Sequence, residues 1–150
     1  KKGFIKILSG ASRGIVLSES ESNEIPVIGL VAAGGPILAQ ENIEKTIPKS
    51  RNLFSEDIDY YLRVKGDSMV EVGIYEEDLI GVSKSKDLKV GNIVVARINN
   101  EVTVKTLIEL SQTKVVLRPE NKNYKEITVN PEIDELAIEG SCVALVRESI

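Results

Sequence analysis

The chain has 150 residues, 42% apolar and 28% charged, which is enough apolar material for one domain-sized core without disulfides. Its net charge is −4, it holds one cysteine (Cys142), and it has no histidine. Ser-His and Cys-His catalytic pairs, an internal disulfide and the usual zinc sites are therefore excluded.

No apolar run reaches the ~18 residues of a membrane span, and the first residues show no signal-peptide progression. With a lone cysteine, a reducing cytoplasm is the expected compartment. Phe4 to Leu8 is β-prone, Ser9 to Gly14 reads as a loop and Ile15 to Leu17 as a return strand, which predicts a small hairpin. Two strands alone do not fold stably, so residues 1–17 read as the remnant of a larger N-terminal unit. This segment holds Lys1, Lys2, Lys6 and Arg13 and no acid, whereas all 23 acidic residues follow it. A basic segment joined to an acidic body fits a piece of a nucleic-acid binder, and a plain basic terminus equally well. Residues 18–25 are polar and acidic without apolar periodicity and read as a linker. The body is expected over 26–150.

From Ile25 onward the pattern predicts mostly short strands, the first an apolar run from Ile28 to Ala33 broken at Gly34-Gly35-Pro36. Asp59 to Lys65 predicts a strand, closed by Gly66-Asp67, with a helical turn over Ser68 to Val72 before Gly73. Leu79 to Ser83 and Ile93 to Ile98 predict two more. The latter turns through Asn99-Asn100 into Glu101 to Leu107, because asparagine tolerates the left-handed conformation of a tight hairpin. Val115 to Arg118, Ile127 to Val129 and Ala137 to Arg147 complete the series. Many short strands and no long amphipathic helix indicate a mainly β fold.

Without histidine, a serine nucleophile must take lysine, a carboxylate or a terminal amine as its base. Gly66-Asp67-Ser68-Met69 sets a hydroxyl after a glycine turn, where neighbouring backbone N–H groups can converge on an oxyanion. From local sequence alone, Ser68 reads first as the cap of the helical turn. Alternation along Glu101 to Leu107 puts Thr103, Lys105 and Leu107 on one face. Desolvation beside Leu107 would lower the lysine pKa from about 10.4 and supply a neutral amine as base. A solvated strand lysine is the ordinary alternative. Cys142, between Ser141 and Val143-Ala144, reads as a buried structural thiol. No cofactor and no metal are expected.

Together these segments resemble the LexA repressor family over nearly the whole chain. Leu30-Val31-Ala32-Ala33-Gly34-Gly35-Pro36 is similar to the family's self-cleavage loop, with Ala33 and Gly34 at the scissile position. Gly66-Asp67-Ser68-Met69 is similar to its nucleophile motif and Val102-Thr103-Val104-Lys105 to its general-base strand, in the family's order and separations. Gly10-Ala11-Ser12-Arg13-Gly14-Ile15 resembles the wing of its winged helix-turn-helix domain. Gly35 stands where an acidic residue is common, a departure expected to loosen the loop, and Asp67 is one of several residues found before the serine.

The resemblance implies a repressor of the SOS response that cleaves itself after DNA damage, built on a compact S24 peptidase-like β fold. It implies Ser68 as nucleophile, Lys105 as base and the backbone amides of Asp67 and Ser68 as oxyanion hole. It also implies a homodimer, a RecA filament on single-stranded DNA as co-protease, and palindromic operator DNA as the target of the full-length protein. The recognition helix would lie before Lys1, leaving Lys6, Ser12 and Arg13 of the wing as DNA contacts. Specific operator binding by these residues alone is not expected. Val143 to Arg147 is a candidate edge for dimer pairing.

Other readings differ in kind. A UmuD-like polymerase accessory factor shares the dyad but lacks the wing, and phage repressors carry a different N-terminal domain. Signal peptidases use a similar pair beside a membrane anchor. A non-enzymatic β interaction module would leave Ser68 and Lys105 beyond hydrogen-bond distance, with no groove beside them.

Overall fold

The computed structural model describes residues 23–49, 57–84 and 87–148. The expected wing over 1–17, with Lys6, Ser12 and Arg13, lies outside these residues, as does most of the expected linker. The described residues form nine strands: β1 (Glu24–Ile28), β2 (Ile43–Pro48), β3 (Tyr60–Arg63), β4 (Leu79–Ser83), β5 (Ile93–Ile98), β6 (Glu101–Leu110), β7 (Val115–Arg118), β8 (Ile127–Val129) and β9 (Leu136–Val146). They make one sheet in the order β2-β1-β3-β4-β9-β5-β6-β7-β8. The fold is mainly β, as the sequence predicts.

Two stretches differ from expectation. The apolar run from Ile28 to Ala33 leaves the ladder after its first residue. β1 ends at Ile28, and it begins at Glu24, inside the expected linker. β2 has no counterpart among the predicted elements, because it is a sheet edge whose Glu44, Lys45 and Thr46 side chains are all exposed. A solvated edge strand shows neither an apolar run nor alternation, and so reads as loop.

Alternation accounts for the core. Tyr60 and Leu62 pack with Ile28, Met69, Ile80 and Val82 on one side of the sheet. Tyr61, between them, packs with Ile25, Val27, Ile58 and Leu79 on the other. The central strands are thus covered on both faces. A third cluster of Val94, Ala96, Leu107, Val115 and Leu117 fills the other half of the molecule.

The topology brings three loops to one place. β1 and β3 pair in parallel, Val27 with Tyr61 and Ile28 with Leu62. Parallel neighbours deliver their C-terminal ends to the same edge, so the loop after β1 and the loop after β3 emerge side by side. The first carries Ala33 and Gly34, and the second carries Ser68. Across β4 and β9, the β5–β6 hairpin turns through Asn99 (φ 48°) and Asn100 (φ 75°), both left-handed as the sequence predicts. That turn sets the register pairing Lys105 with Val94.

β9 links the halves, pairing with β5 over Leu136–Ser141 and with β4 over Ser141–Val146. Gly140 sits at the changeover with φ 148°. A Cβ there would lie 2.5 Å from Val82 Cγ1 and 2.6 Å from the Ser83 carbonyl oxygen. Gly140→Ala is expected to cost about 2–4 kcal/mol from strain and overpacking. In thermal melts, Tm should fall by roughly 5–15 °C. A Tm within about 2 °C of the parent would show that β9 moves aside at little cost.

Candidate active site

Ser68 stands just beyond the turn that closes β3. Gly66 adopts φ 80°, a left-handed conformation suited to glycine, and its N–H donates to Glu76 Oε2 at 3.1 Å. Met69, 2% exposed, anchors the next residue in the core. A 3₁₀ turn over Val70–Val72 follows and ends at Gly73 with φ 84°. Met69 occupies the N-cap of that turn and no side chain caps it, so the Ser68 hydroxyl is not spent on capping.

The nucleophile-like turn is braced from behind by the segment after β7. Glu120 N–H donates to the Ser68 carbonyl at 2.8 Å, and Asn121 Nδ2 donates to the Asp67 carbonyl at 2.8 Å. Tyr124 Oη donates to the Asp67 carboxylate. In return Glu71 N–H donates to the Glu120 carbonyl at 2.9 Å, and its carboxylate accepts from Lys122 N–H at 2.8 Å. Asn121, 7% exposed, is a buried residue that local sequence did not single out.

Lys105 reaches the same point from β6. Its Nζ donates to Ser68 Oγ at 3.1 Å, to the Val104 carbonyl at 3.1 Å and to Thr103 Oγ1. The residue is 7% exposed, and burial holds its pKa below that of an ordinary lysine. Val94, its partner across the ladder, and Leu107, two residues on, share one buried cluster on the face that alternation gives Lys105. Lys105 is therefore not the solvated strand lysine of the ordinary alternative.

A cavity of about 430 Å³ opens beside this pair. Ser68, Met69, Val102 and Thr103 line one part of it, and Val31 and Ala33 line another. The residue named from the cleavage-loop resemblance thus faces the same space as the hydroxyl. Gly34 follows with φ 83°, and Gly35 carbonyl accepts from Arg97 Nη1, whose guanidinium also faces the Glu139 carboxylate at 3.2 Å. Asn42 ties down the rest of the loop: Ala32 N–H donates to its Oδ1 at 2.9 Å, and its Nδ2 donates to the carbonyls of Pro36 and Ile37 at 3.1 Å each. Asn42 and Arg97 carry no motif, since each acts only through contacts made after folding. Thr103, by contrast, was marked by its place one alternation before Lys105.

Cys142 is half-buried, with Sγ donating to the Ala144 carbonyl at 3.5 Å, and burial pushes its thiol pKa up. The thiol packs against the core as a structural residue would, though it is less buried than the sequence predicts. Among the described residues, no group of three or more acidic or cysteine side chains is arranged to hold a metal ion.

Comparison with known proteins gives consistent matches. The sequence profile of a family described as Peptidase S24-like matches residues 26–143. The chain is 48% identical to the LexA repressor of Marinomonas sp. (strain MWYL1), covering 100% of this chain and 75% of that protein. It is 49% identical to the LexA repressor of Hahella chejuensis, covering 98% and 74%. It is 48% identical to that of Alcanivorax borkumensis, covering 99% and 72%.

Proposed function

This chain belongs to the LexA family of S24-like peptidases, and from that premise we propose that it is an SOS-type repressor that inactivates itself by cleaving its own Ala33–Gly34 bond. The observation that carries the reading is the buried Lys105 Nζ at 3.1 Å from Ser68 Oγ, beside a cavity that Ala33 also lines. A non-enzymatic module called for a wider separation and no groove, and both features run against it.

In the reaction, neutral Lys105 takes the Ser68 hydroxyl proton as Oγ attacks the Ala33 carbonyl carbon. The backbone amides of Asp67 and Ser68 hold the resulting oxyanion. With the Asp67 carbonyl turned to Asn121, the Ser68 N–H of the same trans peptide points the opposite way, away from that brace. Collapse breaks the Ala33–Gly34 bond as the Lys105 ammonium returns its proton to the Gly34 nitrogen. Water, activated by Lys105, then releases Ala33 from Ser68. No cofactor takes part.

The three contacts of Lys105 fit both of its protonation states. An ammonium has three donors for Ser68, Thr103 and Val104. A neutral amine keeps two donors, for Thr103 Oγ1 and the Val104 carbonyl, and turns its lone pair to Ser68. Thr103→Val removes one of these orienting partners and is expected to slow autocleavage about 10-fold with the fold unchanged. An unaltered time course would remove Thr103 from the mechanism.

Partners follow from the same reading. A RecA filament on single-stranded DNA acts as co-protease by binding the cleavable arrangement better, a population shift that adds no catalytic group. The homodimer forms through β9. Its Cys142–Val146 part pairs with β4 along one edge, while β5 stops at Ser141 on the other. That second edge has no strand partner among the described residues. A symmetric dimer suits palindromic operator DNA, with Lys6, Ser12 and Arg13 as wing contacts, in the cytoplasm. Coverage of nearly all of this chain by LexA repressors, its N-terminal residues included, favours this over a UmuD-like factor. Intact mass spectrometry of the incubated protein tests the reading. Fragments 1–33 and 34–150 are expected, and cleavage at any other bond would overturn the assignment of Ala33 and Gly34.

A further inference from the structure

We infer that Asn42 is a positioning residue for self-cleavage, shaping the loop so that Ala33 is delivered to Ser68. The inference rests on the dyad reading above. Between β1 and β2 the chain leaves the strand ladder, and its backbone polar groups need other partners. Asn42, 3% exposed, supplies them from one point. Its side chain takes the Ala32 N–H and gives its two amide hydrogens to the Pro36 and Ile37 carbonyls. Its own carbonyl accepts from Gly29 N–H at 3.1 Å, and its N–H donates to the Ala39 carbonyl at 2.9 Å. Both flanks of the Ala33–Gly34 bond are thereby tied to a single residue.

Ile37 is buried, and Val31 and Leu38 pack against the same core on either side of the bond, but beyond its chain neighbours nothing lies within 4 Å of where a Gly34 Cβ would sit. Between those packed anchors the loop's shape rests on the Asn42 hydrogen bonds and on that of Arg97 to the Gly35 carbonyl. The requirement is for one acceptor and two donors on a short stem, and that is the asparagine side chain. Aspartate has the same shape but no donors when ionised, and alanine has neither function. Because the reaction is intramolecular, loop shape sets how often the Ala33 carbonyl lies in attack geometry. A misplacement of about 1 Å costs on the order of 100-fold.

The test compares Asn42→Ala and Asn42→Asp with the parent in the full chain, using two readouts. One is the autocleavage rate from neutral to alkaline pH. The other is labelling of Ser68 by a small fluorophosphonate, which needs the folded dyad but not the loop. Both variants are expected to cleave roughly 100-fold more slowly. They should label within about 2-fold of the parent and keep the parent's pH dependence, since Lys105 is untouched. The aspartate variant preserves volume, so a drop confined to alanine would mean packing and overturn the inference. Cleavage within about 3-fold of the parent in either variant, or labelling lost together with cleavage, would overturn it too. If the fluorophosphonate labels the parent at a residue other than Ser68, the dyad assignment itself fails, a result distinguishable from failure at Asn42.

Discussion

Ser68→Ala and Lys105→Ala are each expected to abolish formation of fragments 1–33 and 34–150, a loss of at least about 1,000-fold, with the fold retained. Removing Ser68 Oγ removes the atom that bonds to Ala33. Removing Lys105 leaves the hydroxyl without its base, since the chain has no histidine and, among the described residues, the basic nitrogen bonded to Ser68 Oγ is Lys105 Nζ. The two losses should not add, because serine and base act as one unit. Lys105→Arg separates base from cation: arginine keeps the positive charge but does not give up its proton, so it should be as inactive as alanine. Intact mass after prolonged incubation, with circular dichroism as the folding control, reads all three. Persistent cleavage in Ser68→Ala or Lys105→Ala would strike that residue from the mechanism. Activity in Lys105→Arg would show that the lysine acts through its charge.

The second large effect is on pH. Only the neutral amine can accept the serine proton, so below the Lys105 pKa each pH unit should raise the autocleavage rate by nearly 10-fold. Burial lowers that pKa from its ordinary 10.5, so the rise should level off at a lower pH than an exposed lysine would give. A rate that is flat or falling between neutral and alkaline pH would rule out a lysine base. The same shift has a sign for stability. The unfolded lysine binds its proton more tightly than the folded one, so the Lys105 contribution to stability is unfavourable at neutral pH. It improves as pH rises from the folded pKa towards the unfolded one. The residue is thus held at some cost to the fold, as befits a group kept for chemistry rather than packing.

Legibility differed between elements for identifiable reasons. β4, β5, β7 and β8 lie where their residues predict, because each is a run of apolar β-formers bounded by turn residues. β6 runs on to Leu110, past the expected end at Leu107, through exposed Glu109 and Leu110 at a bulge. β2 is hidden because its burial is slight, and Ile28 to Ala33 misleads because only Ile28 belongs to the ladder, while Leu30, Val31 and Ala33 line a cavity from the loop that follows. Ser68 and Lys105 were marked as candidates by type and pattern, and they were joined by resemblance to a family motif. Neither observation could exclude a capping serine or a solvated lysine. The braces at Asn42, Arg97 and Asn121 left no local trace.

By itself, then, the sequence determined the mainly β class, the order of most strands, the exclusion of histidine chemistry and the short set of residues able to replace it. These depend on neighbours in the chain, where alternation, turn propensity and composition act. The tertiary structure alone decided that a serine and a lysine 37 residues apart share a hydrogen bond, and that this lysine is desolvated. It also decided that Ala33 lines their cavity. Those outcomes arise from the parallel pairing of β1 with β3, which sends two loops to one edge, and from the β5–β6 register, which seats Lys105 opposite buried Val94. Strand pairing and desolvation are properties of surfaces brought together from distant parts of the chain, and no local pattern encodes them.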